Sequence, residues 1–402
     1  MRVLWGWMGA FLMAACTPAR PVAVGATAAA SFDDDLAFLR RHGEVEVLES
    51  PQGGRVAVSA KYQGRVMTSA VEPHGRSLGW IFRSFIEQGK TGTQFDNFGG
   101  EDRFWLGPEG GQYSLYFPPG KPFEFSNWQT PSAFQQGAWA VQARTADSIS
   151  LLRAMTLSNY AGTTFELAVT RTVRLLSADQ VAARVGAVPV ESRWVAFETD
   201  NTITNTGKDA WTEDKGLPSI WILAMFTPTA DTFVVVPFAT QGSGPIVNDS
   251  YFGKVPADRL QVHEQEGYLV FRCDGQHRSK IGLGPSRAKA SLGSYSASAG
   301  LFTLVQYDRP QGATRYVNSM WELQKEPYGG DVVNSYNDGP TEPGKPALGG
   351  FYELESSSPA AALGPGERLV HKHVTMHFTG PAAALDELTT RTIGVKVSGI
   401  RM

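Results

Sequence analysis

From Val45 to Phe378 the chain is built of short runs rich in β-branched and aromatic residues, each cut off by a cluster of turn formers. "GRVAVSAKY", "SLLRAMTL", "FELAVTRTVRLL", "WVAFETDNTITNTG", "SIWILAMFT", "TFVVVPF", "GYLVFRC", "LFTLVQY" and "LVHKHVTMHF" belong to the series, as do "VEVLES", "YSLYF" and "RYVNSMWEL". Such runs suit a pleated, half-buried surface, and closely spaced turns favour antiparallel pairing over crossover helices. Composition agrees: 43 glycines and 24 prolines are a large share of 402 residues, and charged residues are only 19%, against about a quarter in ordinary domains. No fixed-period repeat or long linker interrupts the series. Residues 31–402 are therefore expected to form one all-β domain of packed antiparallel sheets. The exception is "SFDDDLAFLRRHG", where Ser31, the acids that follow, Arg40, Arg41 and Gly43 mark out one short helix. Beyond it helix signals nearly vanish.

The N-terminus reads as an export signal, with Arg2 before the apolar "VLWGWMGAFLM", which is too short to span a bilayer. It ends in "MAAC", a small-residue pair before Cys16 that resembles the lipobox of bacterial lipoproteins. The expectation is a signal peptide over 1–15, lipid on Cys16, a tether over 16–30 and a location in the cell envelope, on the periplasmic face or the surface of the outer membrane. Cys273 is the other cysteine, so a chain lipidated at Cys16 has no intrachain disulfide and no cysteine-based zinc site. The net charge of −3 offers no basic field, which argues against a nucleic-acid partner.

"SFIEQGKT" ends like a phosphate loop, but Ser84 stands where the first glycine belongs. G-x-S-x-G and H-E-x-x-H patterns are absent. Four segments are dense in polar, aromatic and glycine residues. "GGEDRFWLGPEGG" gathers Glu101, Asp102, Arg103, Trp105 and Glu109 between glycine pairs, which let backbone turn sharply or approach a ligand. "NSYNDGP" holds Asn337 and Asp338, and both residue types are also common in plain turns. "FYELESSS" puts Glu353 and Glu355 on one face of an extended chain. Two like charges held side by side need a cation, hydrogen bonds or a shared proton. In the fourth segment His371, His373, Thr375 and His377 share one strand face, opposite Val374, Met376 and Phe378. The apolar face is expected to enter the core, leaving His371 and His373 as candidate metal ligands or as an ordinary polar sheet face.

"LESSSPAAALGPGERLVHKHVTMHF" resembles the end of the galactose mutarotase (aldose 1-epimerase) domain, and "WVAFETDNTITNTGKDAW" resembles a mid-chain strand and turn of that superfamily. "GGEDRFWLGPEGGQ", "NSYNDGP" and "FYELESSSPA" resemble a family of exported bacterial lipoproteins of unknown function placed in the same superfamily. The resemblance implies a β-supersandwich whose concave sheet binds a sugar, with a carbohydrate as partner and no cofactor. It makes Glu355 the general base, with Glu353 as fallback because the register slips by one residue at Pro359. Mutarotases carry a histidine after the T-N turn, where this chain offers Trp211, Lys215 and Trp221; His263 and His277 are possible substitutes. Three readings stay open: a sugar epimerase, lyase or hydrolase using paired carboxylates, a glycan-binding protein stacking sugars on Trp105, Tyr113 and Trp128, and a structural envelope protein.

Overall fold

A computed structural model describes residues 30–92, 94–342 and 344–402; the expected signal peptide, Cys16 and nearly all of the tether lie outside them. Ser31 caps the helix Phe32–His42 through a capping box with Asp34, and Gly43 ends it, as the sequence implies. This helix packs with the three-stranded antiparallel sheet of Glu46–Glu49, Arg55–Ser59 and Arg65–Ala70.

Two larger antiparallel sheets carry the rest. The ten-stranded sheet runs, in spatial order, Leu260–His263, Tyr268–Arg272, Phe233–Pro237, Ser291–Ser296, Leu301–Tyr307, Arg368–Thr379, Arg193–Asn205, Thr164–Leu175, Ser148–Ser158 and Ala140–Arg144. The five-stranded sheet runs Ser279–Leu283, Val333–Asn337, Tyr352–Ser357, Ser219–Phe226 and Arg103–Gly107. Their facing sides interdigitate. Ala224, Ile281 and Leu354 of the smaller sheet join Val234, Phe271, Leu292 and Val305 of the larger in one core.

Helices are more numerous than the sequence implied, and they have a job. Ala178–Val185 and Ala382–Ile393 cover the outer face of the ten-stranded sheet, burying Val181, Leu385 and Leu388 against Val374, Met376 and Phe378. The histidine-bearing strand is thus covered on both sides. Its apolar side is buried under these helices, while its imidazoles face inward between the sheets rather than away from the core. "YSLYF" and "RYVNSMWEL" form no strand of their own: Leu115, Tyr116, Phe117 and Trp321 serve as apolar cover, packed against rings rather than in a ladder. Among the described residues no helix is long and apolar enough to cross a membrane.

Candidate active site

Strand alternation builds the site. In Tyr352–Ser357, Leu354 and Ser356 point toward the ten-stranded sheet, so Glu353 and Glu355 point to the opposite side. Register then supplies their neighbours. Glu353 lies opposite Tyr336 and Met225, Glu355 lies opposite Asn334 and Leu223, Lys280 lies opposite Tyr336, and Arg103 lies opposite Leu223. From the two outer strands the cations reach inward. Arg103 forms an ion pair with Glu353, while Lys280 Nζ donates to Glu355 Oε2 at 2.8 Å. The same oxygen accepts a hydrogen bond from Trp221 Nε1 at 2.8 Å. Each of the two like charges therefore has its own cation, and the pair can stay buried.

Burial pushes Glu353 up to about 7; Arg103 opposes the shift and the nearby Glu355 adds to it. Burial also raises Glu109, against the pull of Lys280. At Lys280 burial works to discharge the ammonium, but Glu355 and Glu109 outweigh it and raise its pKa.

Above this sheet face lies a cleft of about 600 Å³, counting its open mouth. Arg103, Arg278, Lys280, Glu109 and Glu353 supply its charges, and Trp105, Trp128, Trp221 and Trp321 dominate its walls. The rings brace one another: Trp105 meets Trp221 edge-on at 5.8 Å, and Trp128 lies nearly parallel to Trp321 at 6.4 Å. The cations are braced too. The Arg103 guanidinium sits 4.4 Å from the Trp105 ring centroid, and Lys280 Nζ sits 4.7 Å from that of Trp221.

Of the residues singled out by sequence, Arg103, Trp105, Glu109, Trp128, Trp221 and Glu353 line the cleft. Glu355 is fully buried and is tied to Lys280 and Trp221 rather than contributing to the lining. Glu101 and Asp102, expected to bind substrate, sit between the sheets instead. Glu101 Oε1 is 2.7 Å from His377 Nε2, and Asp102 pairs with Arg171 at 2.5 Å. The cause is local: Asp102 forms an isolated bridge with Val66, and only from Arg103 does the strand present alternate side chains to the cleft. Asn337 and Asp338, also expected to bind substrate, hold loops. Asn337 Nδ2 donates to the His277 carbonyl, and Asp338 Oδ2 accepts from the Gly349 and Gly350 amides.

His371 and His373, the candidate metal ligands, share the Ser356 hydroxyl at 2.8 and 2.9 Å between the sheets. Among the described residues no group of three His, Cys, Asp or Glu side chains is arranged to hold a metal. His263 stacks on Tyr268, Trp211 packs against Phe165, and Tyr113 stacks on Tyr328, all outside the cleft lining. Sequence reasoning missed Arg278, Lys280 and Trp321. "RSKIGL" does alternate, but nothing local in it says that its lysine reaches across one intervening strand to a glutamate.

A family model described as "Family of unknown function (DUF6786)" matches residues 30–402. The chain belongs to this family. No curated protein matches this DUF6786 member. Solved structures similar to it include a candidate aldose 1-epimerase from Escherichia coli K12, with 11% identity and a TM-score of 0.48, covering 84% of this chain and 99% of the other. A galactose mutarotase related enzyme from Lactobacillus acidophilus is similar at 10% identity and a TM-score of 0.44, covering 84% and 97%. A galactose mutarotase-like protein from Lactobacillus casei is similar at 8% identity and 0.43, covering 83% and 100%.

Proposed function

We propose that this DUF6786 protein processes a carbohydrate in the aromatic cleft by acid–base proton transfer, as in epimerisation at an anomeric carbon. The observation that carries the reading is Glu353: a carboxylate with a pKa of about 7, backed by Arg103 and set in a cleft walled by indoles. Indole faces suit the apolar faces of sugar rings, and a carboxyl that titrates near neutrality can both take and return a proton. Mutarotation needs such a base at the anomeric hydroxyl and an acid at the ring oxygen. Glu353 is the base in this proposal. Glu109, whose burial favours its protonated form, is the acid. Glu355 is a positioning residue that holds Lys280 and Trp221.

The test is a panel of reducing sugars and oligosaccharides screened by thermal shift, with NMR of each hit to watch for anomeric exchange or cleavage. Exchange or cleavage faster than in buffer supports the proposal. Binding without turnover moves the protein to glycan binding, and no binding of any sugar overturns both.

We propose as well that the mature protein is lipidated at Cys16 and resides in the cell envelope, on the strength of the "MAAC" sequence after the apolar stretch. Cys16→Ser is expected to move the protein from the membrane fraction to the soluble one. Retention in the membrane to the wild-type extent would show that something else anchors it.

A further inference from the structure

The charges of the cleft are not all spent on one another. Arg103 is paired with Glu353 and Lys280 with Glu355. Arg278 is different: among the described residues no carboxylate lies within 4.0 Å of it, and its buried Nε has no hydrogen-bond partner. Its guanidinium carbon lies 3.7 Å from the centroid of the Phe252 ring and 5.7 Å from that of Phe125. A guanidinium held over an aromatic ring keeps its N–H groups in its own plane, free to meet a planar acceptor edge-on. Glu109 also has no cation within 4.0 Å among the described residues; burial raises its pKa, while the more distant Lys280 and Arg278 oppose that shift. Of the three cations that line the cleft, Arg278 is thus the one with no carboxylate in contact among the described residues, and it is held in place by rings instead.

We infer that the saccharide of this cleft is acidic, bearing one carboxylate as a uronic acid does, and that Arg278 receives that carboxylate. The inference rests on the carbohydrate reading above. Its chemistry is that of a single negative charge: one cation lacks an acid, whereas a doubly charged phosphate ester would leave excess negative charge beside Glu353 and Glu109. A carboxylate is also the smallest anion with the planar, two-oxygen edge that a guanidinium pairs with. The indoles would carry the ring, and Arg278 would set which end of it enters.

The experiment measures dissociation constants by ligand-observed NMR on the wild-type protein and on Arg278→Gln. The probes are glucose and galactose, glucuronate and galacturonate, and the 6-sulfates and 6-phosphates of both hexoses. The expected result is binding of at least one uronate about tenfold or more tighter than its neutral parent, with that advantage lost in Arg278→Gln while affinity for the neutral sugar is kept. Uronates binding no tighter than their parents, or an Arg278→Gln loss that is equal for both, would overturn the acidic assignment and leave the carbohydrate reading intact. A gain confined to the sulfates or phosphates would overturn the carboxylate. No binding by any of the probes would overturn this inference, while the wider sugar panel separately decides the carbohydrate reading. Should Arg278→Gln fail to fold, the wild-type comparison of each uronate with its neutral parent decides alone.

Discussion

Replacing Glu353 with glutamine is expected to lower turnover of whichever sugar the panel identifies by about a hundredfold or more, in a variant that still folds but is less stable because buried Arg103 loses its carboxylate. Glutamine fills the same space and its amide oxygen can still accept from Arg103, but it cannot take a proton. The pH profile distinguishes this from a packing defect. With Glu353 near 7, the basic form accumulates as pH rises, so wild-type kcat/KM should climb through about 7. In Glu353→Gln the residual rate should show no such limb. A limb that persists in the variant would assign the proton transfer to another group, and a loss of thermal stability with turnover intact would make Glu353 structural. Glu355→Gln is the control. It leaves Lys280 short of its carboxylate in a buried place, so it should cost about 3 kcal/mol or more of stability. Its rate profile should keep the limb, moved to lower pH because the Glu355 charge no longer raises Glu353.

The sequence was informative where one strand was enough to decide the outcome. Alternation alone puts Glu353 and Glu355 on one side, and Ser31, Asp34 and Gly43 fix a helix by local hydrogen bonds. It was uninformative where the answer depended on what comes from elsewhere in the chain. Lys280 and Arg103 are brought to the two glutamates by strands some 75 and 250 residues away, through registers that no local pattern encodes. The same limit explains the histidine strand. A polar face beside an apolar one ordinarily means water on the polar side, but here the second sheet supplies Ser356 and the segment leading into its strand Arg103–Gly107 supplies Glu101 as partners, so the polar face is interior. Helices Ala178–Val185 and Ala382–Ile393 were overlooked for a different reason. The capping pair Ser177 and Gln180 was present in the sequence, but a short amphipathic segment is read correctly only once there is a sheet face for it to cover.

That interior polar layer makes a second large effect, on stability against pH. Burial lowers His371 to about 3, with the neighbouring His373 adding to the shift. Burial also lowers His373 to about 4; Asp102 opposes the shift and Arg171 adds to it. Both rings are neutral when folded, whereas in the unfolded chain they take up protons below about 6.5, so the unfolded state binds more protons between 6.5 and 4 and stability falls as pH falls through that window. Together they should withdraw about 4 kcal/mol between pH 7 and pH 5. Glu353 acts with the opposite sign. Its folded pKa of about 7 is above the unfolded value, so it binds a proton first in the folded state and returns about 2 kcal/mol over the same interval. Wild type should therefore show a muted acid loss in urea denaturation at pH 7, 6 and 5. Glu353→Gln removes the compensating group and should steepen that loss. His371→Gln combined with His373→Gln should lower stability at pH 7 but flatten or reverse the slope. If the slopes of wild type and the double histidine variant coincide, the two rings are not held neutral by this layer. If Glu353→Gln leaves the slope unchanged, Glu353 does not titrate near 7, and the proposed base loses its electrostatic support.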